Sequence, residues 1–319
     1  MTASETKLTS LLDFLPSWAK EANDGQCLLQ FFVSFFDVKN IQRIGEINRN
    51  YERVELRHPS FMRIIELSEL KLVGVQGNTF SKPRDGPLHF MSRLEERVFP
   101  PGVYAVLGAP FDTNNSHTNE GDAKATLSAL AAMIALLYGF AALHSKTAEI
   151  SINIKTGQYS FSSPVIENPT FFKIDHLKDV PLDRSIDISR RITAASSEIN
   201  DLVSVSLTYL DRAIREPHHG IRLSLYFSAI EVLTGEVSTN KMCSALETPH
   251  IELREMGYDE LLKRRTLFVH RGKNVSINRE EERFLQHLLV DVISTKLGFE
   301  KTSFARDYIM ALRNHMQKR

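Results

Sequence analysis

The spacing of hydrophobic and polar positions changes about halfway along the chain. Residues 149–155 alternate isoleucines with polar residues, which is typical of a strand with one buried face. Gly157 interrupts that alternation, so residues 150–162 predict a β-hairpin. Residues 27–36 are almost continuously apolar, and their pattern fits a helix and a buried strand equally well. Shorter runs rich in β-forming residues predict further strands at 51–57, 70–75 and 103–107.

From residue 186 onward, apolar residues recur every three or four positions, which predicts amphipathic helices with short connections. Prolines punctuate the passage between the two patterns, at Pro164, Pro169 and Pro181. The sequence therefore predicts an α+β protein. A mixed α/β N-terminal domain is expected at residues 1–182, followed by an all-α helical bundle at residues 183–319.

The most apolar stretch of the chain is residues 123–143. Its length is close to the roughly 20 residues that a helix needs to cross a bilayer. Alanines contribute little to insertion, however, and Lys124, Ser128 and Gly139 weaken the segment further. The sequence favours a buried central helix, and a membrane anchor is the alternative that it leaves open.

The composition is that of a soluble globular protein, with 42% hydrophobic and 24% charged residues in a chain of 319. Lysine plus arginine equals aspartate plus glutamate at 39 each, so an affinity for nucleic acid must come from a local patch. Cys27 and Cys243 lie far apart and lack neighbours that ligate metals, which predicts neither a disulfide framework nor a zinc site. The N-terminal residues lack a secretion signal. We therefore expect a cytoplasmic protein.

The most informative chemistry lies on a predicted helix that ends at Gly272. Arg265 falls in the middle of the apolar stripe of this helix, where a leucine is expected. A guanidinium cannot be deprotonated, so it needs a carboxylate or phosphate partner there. His270 lies about 140° around the helix from Arg265 and in the last turn, where the helix dipole favours the protonated imidazole. The basic residues around this imidazole are Lys263, Arg264, Arg271 and Lys273, which together suggest a phosphate site with its own acid–base group.

The spacing Arg265-x4-His270 resembles the Arg-x4–6-His signature of HEPN ribonuclease domains. The preceding segment, residues 222–235, is similar to the second helix of the Apea-like branch of that family, and the resemblance covers residues 185–318. The sequence departs from the family pattern at Thr266, where a larger polar residue is usual, and at Arg271, which stands between the histidine and the glycine. The resemblance implies a HEPN-like helical bundle and a homodimer in which both motifs line one cleft. It also implies a toxin or antiviral effector with an N-terminal domain that senses a signal or binds a regulatory or antitoxin partner.

The expected function is a metal-independent endoribonuclease, because RNA supplies its own nucleophile, the 2′-hydroxyl. His270 is then the proton-transfer group and Arg265 holds the scissile phosphate. Glu231 either orients one of these two side chains or is a solvated edge residue. The residues expected to bind the RNA backbone are Lys263, Arg264, Arg271 and Lys273. Neither a metal nor a cofactor is expected.

Three other interpretations stay open. Arg265 and His270 can be purely structural, with the arginine paired to Glu231 and the histidine bonded to a backbone carbonyl. A catalytically silent HEPN module would only dimerise or bind RNA. A membrane-anchored signalling protein would use residues 123–143 as its anchor.

The pair His218-His219 stands between a proline and a glycine, and without further ligands nearby it is expected to lie in a surface loop.

Overall fold

The structure is a computed structural model that describes residues 10–21, 25–34, 43–68, 70–81, 89–112, 120–138, 143, 145–161, 182–248, 250–300 and 303–317. The chain forms two compact units. The first contains Met1–Val54, His58–Leu127 and Phe140–Ile174, and the second contains Glu55–Arg57, Ser128–Gly139 and Asp175–Arg319. An eight-stranded sheet and a series of helices confirm the predicted α+β class. The segment just before the predicted boundary at 182/183, residues 162–181, lies outside the described residues.

The first part of the chain carries the sheet. After a 3-10 helix, Leu11–Phe14, its elements are α1 (Ser17–Glu21), β1 (Gln26–Val33), α2 (Ile44–Asn50), β2 (Val54–Glu55), β3 (Pro59–Leu67), β4 (Leu70–Ser81), β5 (His89–Phe99), β6 (Gly102–Phe111), α3 (Glu120–Tyr138), β7 (Ser145–Asn153) and β8 (Tyr159–Phe161). The strand order is β2-β3-β6-β1-β7-β8-β4-β5. The described pairs are antiparallel apart from β4 with β8, which are parallel.

The central strand β1 settles the ambiguity of residues 27–36. It pairs with β6 on one side and β7 on the other, so its backbone polar groups are satisfied along both edges. Six consecutive residues of β1 are buried, which explains why no polar alternation marked it as a strand. Phe31 packs edge-on against Phe14 of the 3-10 helix, with ring centroids 5.5 Å apart.

The predicted hairpin is present. Strands β7 and β8 pair antiparallel around Gly157, which adopts a left-handed φ of 70°, and Ile150 and Ile152 point into the core. The strands predicted at 70–75 and 103–107 lie within β4 and β6. Of residues 51–57, only Val54–Glu55 forms a strand.

Helix α3 occupies the most apolar stretch. Within the described residues it is a helix long and apolar enough to cross a membrane, and 67% of that apolar stretch is buried in the protein. Its largest apolar side chains, including Leu127, Leu130 and Ile134, are fully enclosed. This burial is what a central core helix requires.

A buried ionic network connects the start of α3 to the sheet. The carboxylate of Glu149, only 5% exposed, accepts hydrogen bonds from Gln30 (2.9 Å) and Lys146 (2.7 Å), and Lys124 of α3 lies 3.6 Å away. Burial raises the pKa of Glu149, but the hydrogen bonds and charges of these partners outweigh it and hold the pKa below its ordinary value. Glu149 is therefore a carboxylate kept ionised inside the protein.

From Leu182 onward, the described residues are mainly helical. The elements are α4 (Leu182–Ala194), α5 (Ser197–Arg215), α6 (His219–Thr234), α7 (Thr239–Leu246), α8 (His250–Glu255), α9 (Tyr258–Arg271), α10 (Arg279–Lys296) and α11 (Phe304–Gln317). Helix α10 buries five large apolar side chains: Phe284, Leu285, Leu288, Leu289 and Val292. Asp291 of α10 is also buried, and its carboxylate accepts the backbone N–H groups of Phe304 and Ala305. That carboxylate caps the start of α11.

Candidate functional site

Helix α9 carries the Arg-x4-His motif, and its two ends are fixed by identifiable contacts. Near its start, Tyr258 and Leu261 are buried, and the Tyr258 hydroxyl donates to the carbonyl of Val237 at 2.7 Å. At its end, Gly272 adopts the left-handed φ of 59°, and its backbone N–H closes the helix on the carbonyl of Phe268. A residue with a side chain rarely adopts that conformation, which explains why the motif stops at a glycine.

Helix α9 packs against α6 through a close approach at Gly220. A Cβ atom at this position would lie 2.4 Å from the ring of Phe268, so only glycine admits the phenyl group here. Farther along the two helices, the rings of Phe227 and Tyr258 lie 5.7 Å apart. The motif helix is thereby fixed to the helix that carries Glu231.

Arg265 pairs with Glu231 across these two helices. One terminal nitrogen of its guanidinium donates to the carboxylate at 3.3 Å, and the side chains are 21% and 41% exposed, respectively. The expectation that a cation in the apolar stripe must find an anionic partner is thus met. The Nε atom of Arg265 is buried and has no hydrogen-bond partner among the described residues. The pair is compatible with an oriented catalytic arginine and with a purely structural one.

Arg264 is held more firmly than its neighbour. Its guanidinium donates to Glu281 at 2.5 Å and to the carbonyl of Ser276 at 2.7 Å. The second oxygen of Glu281 accepts the backbone N–H of Asn278, and Asn278 in turn caps α10. Arg264 therefore fastens α9 to the start of α10. The predicted role of Arg264 in RNA binding competes with this structural role.

His270 lies on the exposed side of α9. Lys263, Arg271 and Lys273 are exposed as well, and the described part of the chain offers none of these four side chains a hydrogen bond or an ion pair. The motif residues thus face different ways, Arg265 towards Glu231 and His270 towards solvent. The exposed group is a set of cations around one imidazole, which is the composition that binds and protonates an anion.

The apolar stripe of α9 is only partly covered. Tyr258 and Leu261 are buried, Leu262 and Phe268 are half-buried, and Val269 is 48% exposed. The part of the stripe next to Arg265 therefore opens to solvent.

The loop before α6 contacts the motif helix, a feature that the sequence did not reveal. The imidazole of His218 lies over Phe268, with ring centroids 5.6 Å apart, and Nδ1 of His219 lies 2.9 Å from the carbonyl oxygen of Ile277. Both histidines are exposed, but only His218 lies in the loop, because His219 is the first residue of α6. Each one contacts α9 or the segment that follows it. The available signal was their position shortly before residues 222–235, the segment predicted to be a helix.

Within the described ranges, no group of three or more histidine, cysteine, aspartate or glutamate side chains is placed to hold a metal ion. Cys27 is buried in the sheet, and burial raises the pKa of its thiol, which disfavours the reactive thiolate. The exposed ionisable groups around His270 on α9 are imidazole, guanidinium and ammonium groups. Comparisons of the chain with protein-family models, with curated proteins and with solved structures found no match.

Proposed function

We propose that the protein is a metal-independent endoribonuclease of the HEPN type. The observation that carries the proposal is the arrangement on α9: a guanidinium held by Glu231, an exposed imidazole five residues later, and exposed cations around it. Cleavage of RNA by its own 2′-hydroxyl needs a group that moves a proton and a cation at the phosphate. His270 and Arg265 supply these two functions. Lys263, Arg271 and Lys273 hold the flanking phosphates.

In the proposed reaction, the 2′-oxygen attacks the adjacent phosphorus while the bond to the 5′-oxygen breaks. The proton of the 2′-hydroxyl passes to a neutral imidazole, and an imidazolium returns a proton to the leaving 5′-oxygen. These two roles profit from two histidines on opposite sides of the phosphate. A symmetric dimer supplies both, because a twofold interface brings the same surface of each protomer together. The exposed Val269 supports this arrangement, since a partner can cover the open part of the stripe.

The decisive test is RNA cleavage by the wild-type protein and by His270→Ala and Arg265→Ala. Each substitution should lower the rate by about 10²–10⁴-fold, and EDTA should leave wild-type activity unchanged. Thr266→Ala is the matched control, because Thr266 is exposed on the same helix and its hydroxyl donates to the carbonyl of Leu262 in the preceding turn. Activity that EDTA abolishes, or that survives loss of His270, would assign the reaction to other residues.

Assembly provides an independent test of the same proposal. Sedimentation or native mass spectrometry should find a homodimer, and Val269→Glu should shift it towards monomer with loss of cleavage. A fully active monomer would refute the shared site, even with His270 essential.

One observation favours a second candidate, a HEPN module that binds RNA or dimerises without cleaving. Glu231 already neutralises Arg265, which a purely structural pair would also do. RNA binding by the wild-type protein without cleavage under any condition would support this candidate.

For the whole chain, we propose a cytoplasmic toxin or antiviral effector whose N-terminal unit receives a signal or a regulatory partner. The burial of α3 supports a role in the core rather than in a membrane.

A further inference from the structure

His218 is an unusual residue for its position. It is the N-cap of α6, and its Nδ1 accepts the backbone N–H of Ile221. Asparagine, aspartate and serine perform this task best, since their short side chains place an oxygen directly over the first turn. The imidazole therefore brings something that capping alone does not require. What it adds is an exposed aromatic ring and a second nitrogen.

The ring of His218 is part of a small aromatic surface at the end of the motif helix. It lies 5.6 Å from the ring of Phe268, with an interplanar angle of 41°. Phe268 is kept in place from below by its contact with Gly220. We call His218 and Phe268 together the aromatic ledge. Because Nδ1 accepts a hydrogen bond, the neutral ring carries its proton on Nε2, which leaves an N–H donor beside an exposed ring face.

The charges next to the ledge indicate an anionic partner. Arg271 follows Phe268 by three residues on α9, so the two side chains are neighbours on the helix surface. Lys273 comes directly after the end of that helix, and both cations are exposed and without partners among the described residues. The carboxylate of Glu216 is already bound to the backbone N–H of His218 at 2.9 Å. An aromatic surface flanked by cations matches a nucleotide with an unpaired base, which stacks on the ring while its phosphate meets the cations.

We propose that the aromatic ledge binds an unpaired base of a single-stranded RNA, as a site separate from His270. This inference rests on the proposed function for its choice of RNA as the ligand. Phe268 and His270 lie about 160° apart around α9, so the ledge takes a nucleotide that flanks the one at His270. The ledge thus selects single-stranded over double-stranded RNA, in which the bases are already stacked on each other.

His218→Asn separates stacking from structure. Asparagine is a good N-cap, so this variant keeps an acceptor for the N–H of Ile221 while it removes the ring. Binding is measured in the His270→Ala background, so that no cleavage intervenes. The probes are a single-stranded oligoribonucleotide containing 2-aminopurine, whose fluorescence falls on stacking, and a duplex of the same length. Lys273→Gln is the control, because it removes a phosphate contact and should weaken both complexes alike.

His218→Asn should weaken the single-stranded complex by about 5- to 100-fold, the usual effect of losing one stacked base. The fluorescence change on binding should shrink, while the duplex affinity and the unfolding midpoint stay the same. Equal affinity of parent and variant for the single strand would overturn the proposal, and so would an equal loss for single strand and duplex. Displacement of the RNA by an acidic peptide at matched charge would also overturn it, because charge alone would then explain binding. Cleavage that depends on His270 without any effect of His218 would reject the ledge alone. Selective single-strand binding without cleavage would reject the nuclease alone.

Discussion

The close approach at Gly220 gives a prediction whose size follows from the geometry. In Gly220→Ala, the new Cβ would lie 2.4 Å from two ring atoms of Phe268, whereas ordinary contacts begin at 3.4 Å. The ring or the helix must therefore withdraw by about 1 Å, and overpacking of this kind costs about 1–3 kcal/mol. The higher helix propensity of alanine returns up to about 1 kcal/mol. We expect a net loss of about 1–2 kcal/mol in the free energy of unfolding.

Three further variants make this test specific. In the double variant Gly220→Ala with Phe268→Leu, the smaller leucine side chain relieves the clash. The loss in free energy of unfolding should therefore be smaller than the sum of the two single losses, by about 1 kcal/mol or more. Gly45→Ala is the matched control, since Gly45 is also the second residue of its helix and an added Cβ meets nothing within 4 Å. It should be neutral or stabilising. Urea unfolding followed by circular dichroism at 222 nm measures five proteins: the wild type, Gly220→Ala, Phe268→Leu, the double variant and Gly45→Ala. Additive effects within about 0.5 kcal/mol would show that α9 does not pack on α6 at Gly220.

Three other perturbations have defined outcomes. Glu231→Gln should change the free energy of unfolding by less than about 1 kcal/mol, because its pair with Arg265 is half-exposed. If Glu231 orients the guanidinium, the same variant should lower the cleavage rate about tenfold or more. An unchanged cleavage rate would show that Glu231 and Arg265 are an ordinary surface ion pair. Lys263→Glu with Lys273→Glu should reduce the slope of log affinity against log salt by about 1.4 for single-stranded RNA, and an unchanged slope would exclude these lysines from the interface. The pKa of Glu149 is lower in the folded protein than its ordinary value of 4.5. Ionised Glu149 therefore stabilises the fold when the pH is above 4.5, and this contribution is lost as the pH falls through the lowered pKa of the folded protein. Glu149→Gln should accordingly cost about 1–3 kcal/mol at pH 7, and the two proteins should converge in acid; a constant difference at all pH values would mean that its charge is irrelevant.

The sequence predicted those features that local patterns determine. The alternation of Ile150 and Ile152 identified a strand because one face of that strand is buried. The sequence could not decide whether β1 is a helix or a strand, because both faces of β1 are covered and no alternation marks it. Only its pairing with β6 and β7 makes that segment a strand. The helix α6 begins three residues earlier than the pattern at 222–235 indicated. Histidine is not a usual N-cap, so His218 gave no start signal.

The same distinction applies to the candidate site. A partner for Arg265 was predictable, because a guanidinium among apolar positions requires one, and Glu231 supplies it. The pair of Arg264 with Glu281 was not, since Arg264 lies off the stripe and its partner belongs to the next helix. The contact of His218 with Phe268 depends on how closely two helices approach at Gly220. Such an approach is a property of tertiary packing that spacing along one helix does not encode.

The two adjacent arginines of α9 differ in a way that bears directly on the proposed reaction. Arg264 makes a 2.5 Å bond to Glu281 and a second bond to a backbone carbonyl, so removing it from these partners would disrupt the start of α10. Arg265 makes one bond of 3.3 Å to a half-exposed carboxylate, longer than the roughly 2.7–2.9 Å of a strong charge-assisted bond. A pair of that kind contributes only about 0.2–1 kcal/mol. A phosphate can accept two parallel hydrogen bonds from the guanidinium and so competes well with this single bond to Glu231. Glu231 can stay bonded to one nitrogen of Arg265 while the other nitrogens donate to the substrate. The proposed reaction needs an arginine that is oriented but not locked, and Arg265 meets that requirement where Arg264 does not.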